Sequence, residues 1–156
     1  YMNDGGAKGK ELAAKYVAQV EKFDAAYAKF NDALNKANTE QTKKQIEKLK
    51  KDGKKGYAAA MESTLRLTTL VDNLEKAPQK ADKAAVEKEL SEIEALLKSI
   101  NNDRGQVLAD RYNSVVGDVR QVLADPSDNN LNNMIEGFNG YIDTYNSTTP
   151  DQFDAK

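Results

Sequence analysis

The sequence predicts an all-α protein, an antiparallel up-and-down bundle of four main helices with one or two of them kinked or broken. Three observations predict it. Apolar residues recur at three- and four-residue intervals over most of the chain, no segment alternates apolar and polar residues as a half-buried strand does, and Pro- or Asn-containing turns divide the periodic stretches. Residues 8–146 read as a single helical domain, residues 1–7 as a flexible N-terminal spacer and residues 147–156 as a frayed, polar C-terminal tail.

The first helix starts near Lys8. Its apolar positions are Ala13, Tyr16, Val20, Phe23, Tyr27, Phe30, Leu34 and Ala37, separated by three and four residues in strict alternation, which makes one apolar seam on a helix. Lys15, Gln19, Glu21, Lys22, Asp24 and Lys29 fall between them and solvate the other face. Asn35 to Thr39 supplies a turn, with Asn38 or Thr39 able to cap the next helix.

The second segment carries Ile46, Leu49, Tyr57, Met61, Leu65, Leu67, Val71 and Leu74 and stops at Ala77-Pro78. Gly53 and Gly56 interrupt it, and each Gly costs about 1 kcal/mol in a helix relative to Ala. Because Leu49, Gly53, Tyr57 and Ala60 keep helical spacing, a continuous but weakened helix is expected.

The third segment follows Pro78, with Asp82 as its cap, and reads Val86, Leu90, Ile93, Leu97 and Ile100. A second register, Leu108, Tyr112, Val115, Val119 and Val122, is out of phase by one residue across Asn101–Gly105. Such a slip bends one helix or separates two. Pro126 ends the segment, and Ser127 or Asp128 caps a last helix carrying Leu131, Met134, Ile135, Phe138, Ile142 and Tyr145.

Composition excludes more chemistry than it suggests. The chain has no Cys, His or Trp, so thiolate and imidazole metal sites, haem ligation and His-dependent nucleophilic catalysis all lose a required group. No apolar run is long enough to span a bilayer. The opening GGAKGK resembles a phosphate loop, but Asp4 stands where that motif's first glycine belongs and Glu11 where its hydroxyl belongs. The spacer reading therefore stands.

Other stretches are weighed in the same way. Glu87, Glu89, Glu92 and Glu94 are spread around a helix, whereas catalytic carboxylate pairs flank a pocket with one pKa raised. Asp125 to Asn133 is oxygen-rich but lacks the calcium-loop ladder, which leaves turn and cap chemistry. No catalytic, cofactor-binding or metal-ligating residue is assigned, and no cofactor is expected.

Two surfaces remain as candidates. Lys43, Lys44, Lys48, Lys50, Lys51, Lys54 and Lys55 form a basic stretch that could attract an anionic polymer. It holds no Arg and only Tyr57 adjacent, so sequence-specific nucleic-acid reading is not expected. If the last helix leaves a groove open, Tyr112, Phe138, Tyr141 and Tyr145 would line a partner-binding site.

The expected function is a non-enzymatic, extracytoplasmic binding module, the soluble part of a secreted or lipid-anchored bacterial surface protein. Its partner, a protein or an anionic polymer, would be met at a helix face. The Asn-Asp-Gly-Gly spacer and the start at Tyr1 motivate this reading, with a lipid anchor expected upstream of the chain. The alternative is an intracellular structural adaptor that pairs with another helical protein through the seam from Tyr16 to Leu34.

Overall fold

The structure is a computed structural model that describes residues 5–155, and every regular element among them is helical. The helices are α1 (Gly5–Lys51), α2 (Lys55–Lys76), α3 (Lys83–Lys98), α4 (Asp103–Ala124), α5 (Asp128–Asn146) and α6 (Pro150–Phe153), with a single 3₁₀ turn at Pro78–Lys80. The single domain expected over residues 8–146 is divided into two compact units, Tyr1–Gln41 and Thr42–Lys156.

Within the first unit α1 begins at Gly5, inside the stretch expected to be a spacer; the rest of that spacer, residues 1–4, lies outside the described residues. The turn expected at Asn35 to Thr39 does not form, and the helix runs straight through it. The stretch holds no Gly or Pro, and Asn and Thr each cost only about 0.7 kcal/mol in a helix. That is too little to stop a helix in progress.

The second unit takes up the end of α1, where Ile46 is buried with Ala58 and Met61 of α2. The weakened but continuous helix expected here is broken. Gly53 adopts φ +79°, its N–H donates to the Lys50 carbonyl at 3.3 Å and the Lys54 N–H to the Leu49 carbonyl at 2.9 Å. This pair of bonds is a left-handed C-terminal cap, the conformation that glycine adopts without a Cβ penalty, so Gly53 terminates α1 rather than merely weakening it.

Contacts run from α2 to α3, α3 to α4 and α4 to α5, and α5 returns to α2. The four helices thus share one core, in which Leu67, Leu74, Ile93, Leu97, Leu108 and Val119 are almost fully buried. The phase slip of the third segment separates two helices. Asn102 causes the separation: its Oδ1 accepts the N–H groups of Arg104 at 3.1 Å and Gly105 at 3.0 Å, capping α4. Asp82 caps α3 and Ser127 caps α5 as the sequence suggests.

The C-terminal tail is ordered instead of frayed. Thr149 and Gln152 form a reciprocal capping box that starts α6, Phe153 is buried in the core, and Asn102 Nδ2 donates to the carbonyls of Gln152, Phe153 and Ala155 at 3.2, 2.9 and 3.0 Å. One buried ring and three backbone anchors outweigh the polar composition of the segment.

Candidate functional site

A helix earns stability mostly by burying its apolar face. In the first unit α1 does not do so: its seam lies open to solvent. Leu12 is 68% exposed, Phe23 69% and Phe30 62%, and Tyr16, Val17, Val20, Tyr27 and Leu34 are exposed with them. The rings of Phe23 and Tyr27 stack on each other, one turn apart, with centroids 6.2 Å apart and planes within 8°. The sequence identified Tyr16, Val20, Phe23, Tyr27, Phe30 and Leu34 as the seam but placed them in the core, and Leu12 and Val17 extend the exposed apolar surface beside it.

The proposed aromatic groove is filled. Tyr112 and Tyr141 are at most 1% exposed, and Phe138 and Tyr145 pack against the core from its edge. The Tyr112 hydroxyl donates to the Leu90 carbonyl at 2.5 Å, while the Tyr141 hydroxyl shares hydrogen bonds with Ser63 Oγ at 3.0 Å and Thr64 Oγ1 at 3.2 Å. Burial raises the pKa of both phenols, that of Tyr112 well above the usual tyrosine range. Docking of α6 explains the edge: the Phe153 ring stacks between Tyr57 at 6.2 Å and Tyr145 at 6.0 Å. A helix the sequence treated as tail occupies the space left for a partner.

All seven lysines of the basic stretch are exposed, but they do not form one free cationic surface. Lys50 Nζ lies 2.8 Å from Glu62 Oε2 and 3.5 Å from Glu47 Oε1, and bonding to Glu62 holds its pKa above the lysine range. Lys54 Nζ donates to Asp151 Oδ1 of α6 at 2.7 Å. The acidic C-terminal segment therefore neutralises part of the basic one. Lys43 also has an interaction of its own, and Lys44, Lys48, Lys51 and Lys55 carry the remaining charge.

Three of the four carboxylates of α3 are tied to arginines, and the fourth, Glu94, pairs with Lys98 at 2.6 Å. Glu89 takes two hydrogen bonds from Arg66, at 2.6 and 2.8 Å, and Glu92 takes a third from the same guanidinium. Glu87 takes two from Arg120, both at 2.9 Å. These partners hold Glu89 and Glu87 below the usual carboxylate range, opposite to the shift a general acid requires. Among the described residues no group of three acidic side chains is placed to hold a metal ion, and no helix is long and apolar enough to cross a membrane.

Comparison with known proteins adds one match. The family model described as "Protein of unknown function (DUF3829)" matches residues 1–115. No curated protein and no solved structure matches the chain.

Proposed function

The chain belongs to the DUF3829 family, and from that premise we propose that it is a non-enzymatic binding module of a secreted or lipid-anchored bacterial surface protein, working outside the cytoplasm. DUF3829 is a bacterial domain often found in lipoproteins, and no function is established for it. The observation that carries the binding reading is the exposed apolar seam of α1, since contiguous apolar surface of this extent marks an interaction site. The arginine-paired carboxylates of α3 support a non-enzymatic role, and the ring of contacts among α2 to α5 supports an antiparallel four-helix bundle as its scaffold.

A photo-crosslinking residue placed at position 23 or 27 in living cells tests the binding reading, with positions 25 and 32 on the opposite face as controls. A discrete product from the seam that the controls lack is the expected result; equal labelling from both faces would sink it. Intact-mass analysis of the N-terminus from membrane, secreted and cytosolic fractions tests the location. A lipid-modified or signal-cleaved end is expected. An unprocessed cytosolic chain would instead favour the intracellular adaptor reading, which the same seam from Tyr16 to Leu34 supports.

A further inference from the structure

The seam of α1 keeps its seven-residue repeat for more than three heptads, from Ala13 to Ala37, whereas the buried faces of α3 and α4 keep the same spacing for only two heptads each. An α-helix has 3.6 residues per turn, so a strict seven-residue repeat drifts by about 20° per heptad on a straight helix. Two independent features of α1 nevertheless hold to seven. The apolar positions do so from Ala13 to Ala37, and a lysine row does so at Lys8, Lys15, Lys22, Lys29 and Lys36. Sustained over this length, such a repeat favours a helix that supercoils around another helix of the same pitch.

The residues beside the seam select the kind of partner. Gln19, Asp24, Ala26, Asn31, Ala33 and Asn38 flank it, five of the six uncharged. Identical helices can therefore meet without rows of like charge facing each other, while a strongly charged partner would find no complementary flank. A lipid surface fits poorly as well. Residues 5–41 hold six lysines against five carboxylates, a net charge of +1, far from the cationic face that interfacial helices present.

Area supports a pair. The four exposed aromatics of the seam offer on the order of 600 Å², and the exposed Leu and Val residues raise this to about 1,000 Å² per copy. Two copies would bury roughly 1,500 Å² together, within the range of stable protein interfaces.

We infer that the seam from Leu12 to Leu34 is an interface with a second copy of this chain, the two α1 helices winding around each other as a coiled coil. This rests on the reading of the seam as a binding surface and names its occupant. Sedimentation equilibrium of the chain over a micromolar concentration series should show mass rising from one copy to two. Phe23→Glu and Tyr27→Glu should each weaken the association at least tenfold, whereas Asp32→Ala on the outer face should leave it unchanged. Far-UV circular dichroism checks that the variants remain folded. A wild-type chain that stays monomeric throughout, or that dimerises equally well with Phe23→Glu, overturns the inference. Crosslinking from position 23 to a different protein, with the purified chain monomeric, overturns self-pairing while leaving the binding reading intact.

Discussion

The Asp154 carboxylate accepts the backbone N–H of Gly56 at 2.7 Å across 98 residues of sequence, and that of Tyr57 at 3.4 Å. It thereby caps the first turn of α2, whose own preceding residue, Lys54, makes no side-chain cap. A carboxylate at a helix N-terminus satisfies orphan N–H groups and complements the helix dipole. Asp154→Ala is expected to destabilise the second unit by about 1 kcal/mol, read as a lower urea midpoint by tyrosine fluorescence. An unchanged midpoint would mean that α6 is not docked in solution.

Gly56 makes that docking possible. A Cβ at this position would stand 2.1 Å from the Phe153 carbonyl oxygen, with the Asp154 carboxylate beside it at 3.1 Å. Gly56→Ala must therefore push α6 away, even though Ala is the better helix former by about 1 kcal/mol. We expect lower stability together with faster hydrogen exchange in residues 150–155. If the substitution stabilises the protein, as propensity alone would dictate, the close approach is not real.

Tyr141 separates a core role from a surface one. Its hydroxyl lies with Ser63 and Thr64, both of which also donate to the Ala60 carbonyl at 2.9 and 2.8 Å. Tyr141→Phe removes the phenol from this buried network and should cost about 1 kcal/mol. Were the ring lining an open groove, the same change would leave the urea midpoint where it was.

Much of this was legible in the sequence because packing within the second unit obeys helical periodicity. Val86, Leu90, Ile93, Leu97 and Ile100 were all predicted for the core and are buried, as are Leu108, Tyr112, Val115, Val119 and Val122. What periodicity gives is a face, not the neighbour that covers it. The α1 seam has the same apolar character as these faces and lies exposed, while Phe153, in a polar tail without any repeat, is buried. The groove assignment failed for that reason: Tyr112 and Tyr141 were correctly placed near apolar faces, but the elements closing over them were invisible. Gly53 was misread because its effect depends on φ, which composition does not report.

Asp118 of α4 is half-buried, reaching over Gly137 of α5, and burial raises its pKa above the usual carboxylate value. The stability this gives is present at low pH and lost as pH rises through the folded value, because the charged form is the disfavoured one. Asp118→Asn should therefore raise the urea midpoint at pH 7 and leave it nearly unchanged at pH 3. A midpoint lowered at pH 7 would mean that the carboxylate is bound by a cation or donor in solution.

Glu89 shows the opposite sign. Hydrogen bonding from Arg66 lowers its folded-state pKa below the ordinary 4.5, so on acidification the unfolded chain takes up the proton first. The stabilisation is complete above the unfolded value and disappears as pH falls through the folded one. Because both side chains keep some contact with solvent, 27% exposed for Arg66 and 33% for Glu89, the pair should contribute only roughly 0.5–1 kcal/mol at neutral pH. Glu89→Gln is expected to lower stability by that amount at pH 7, read from the urea midpoint, and to converge on the parent once the pH falls below the folded-state value of Glu89, where the parent has lost the ion pair as well. Parallel curves for the two proteins from pH 7 to 3 would show that Arg66 simply transfers its grip to Glu92, which already shares the guanidinium.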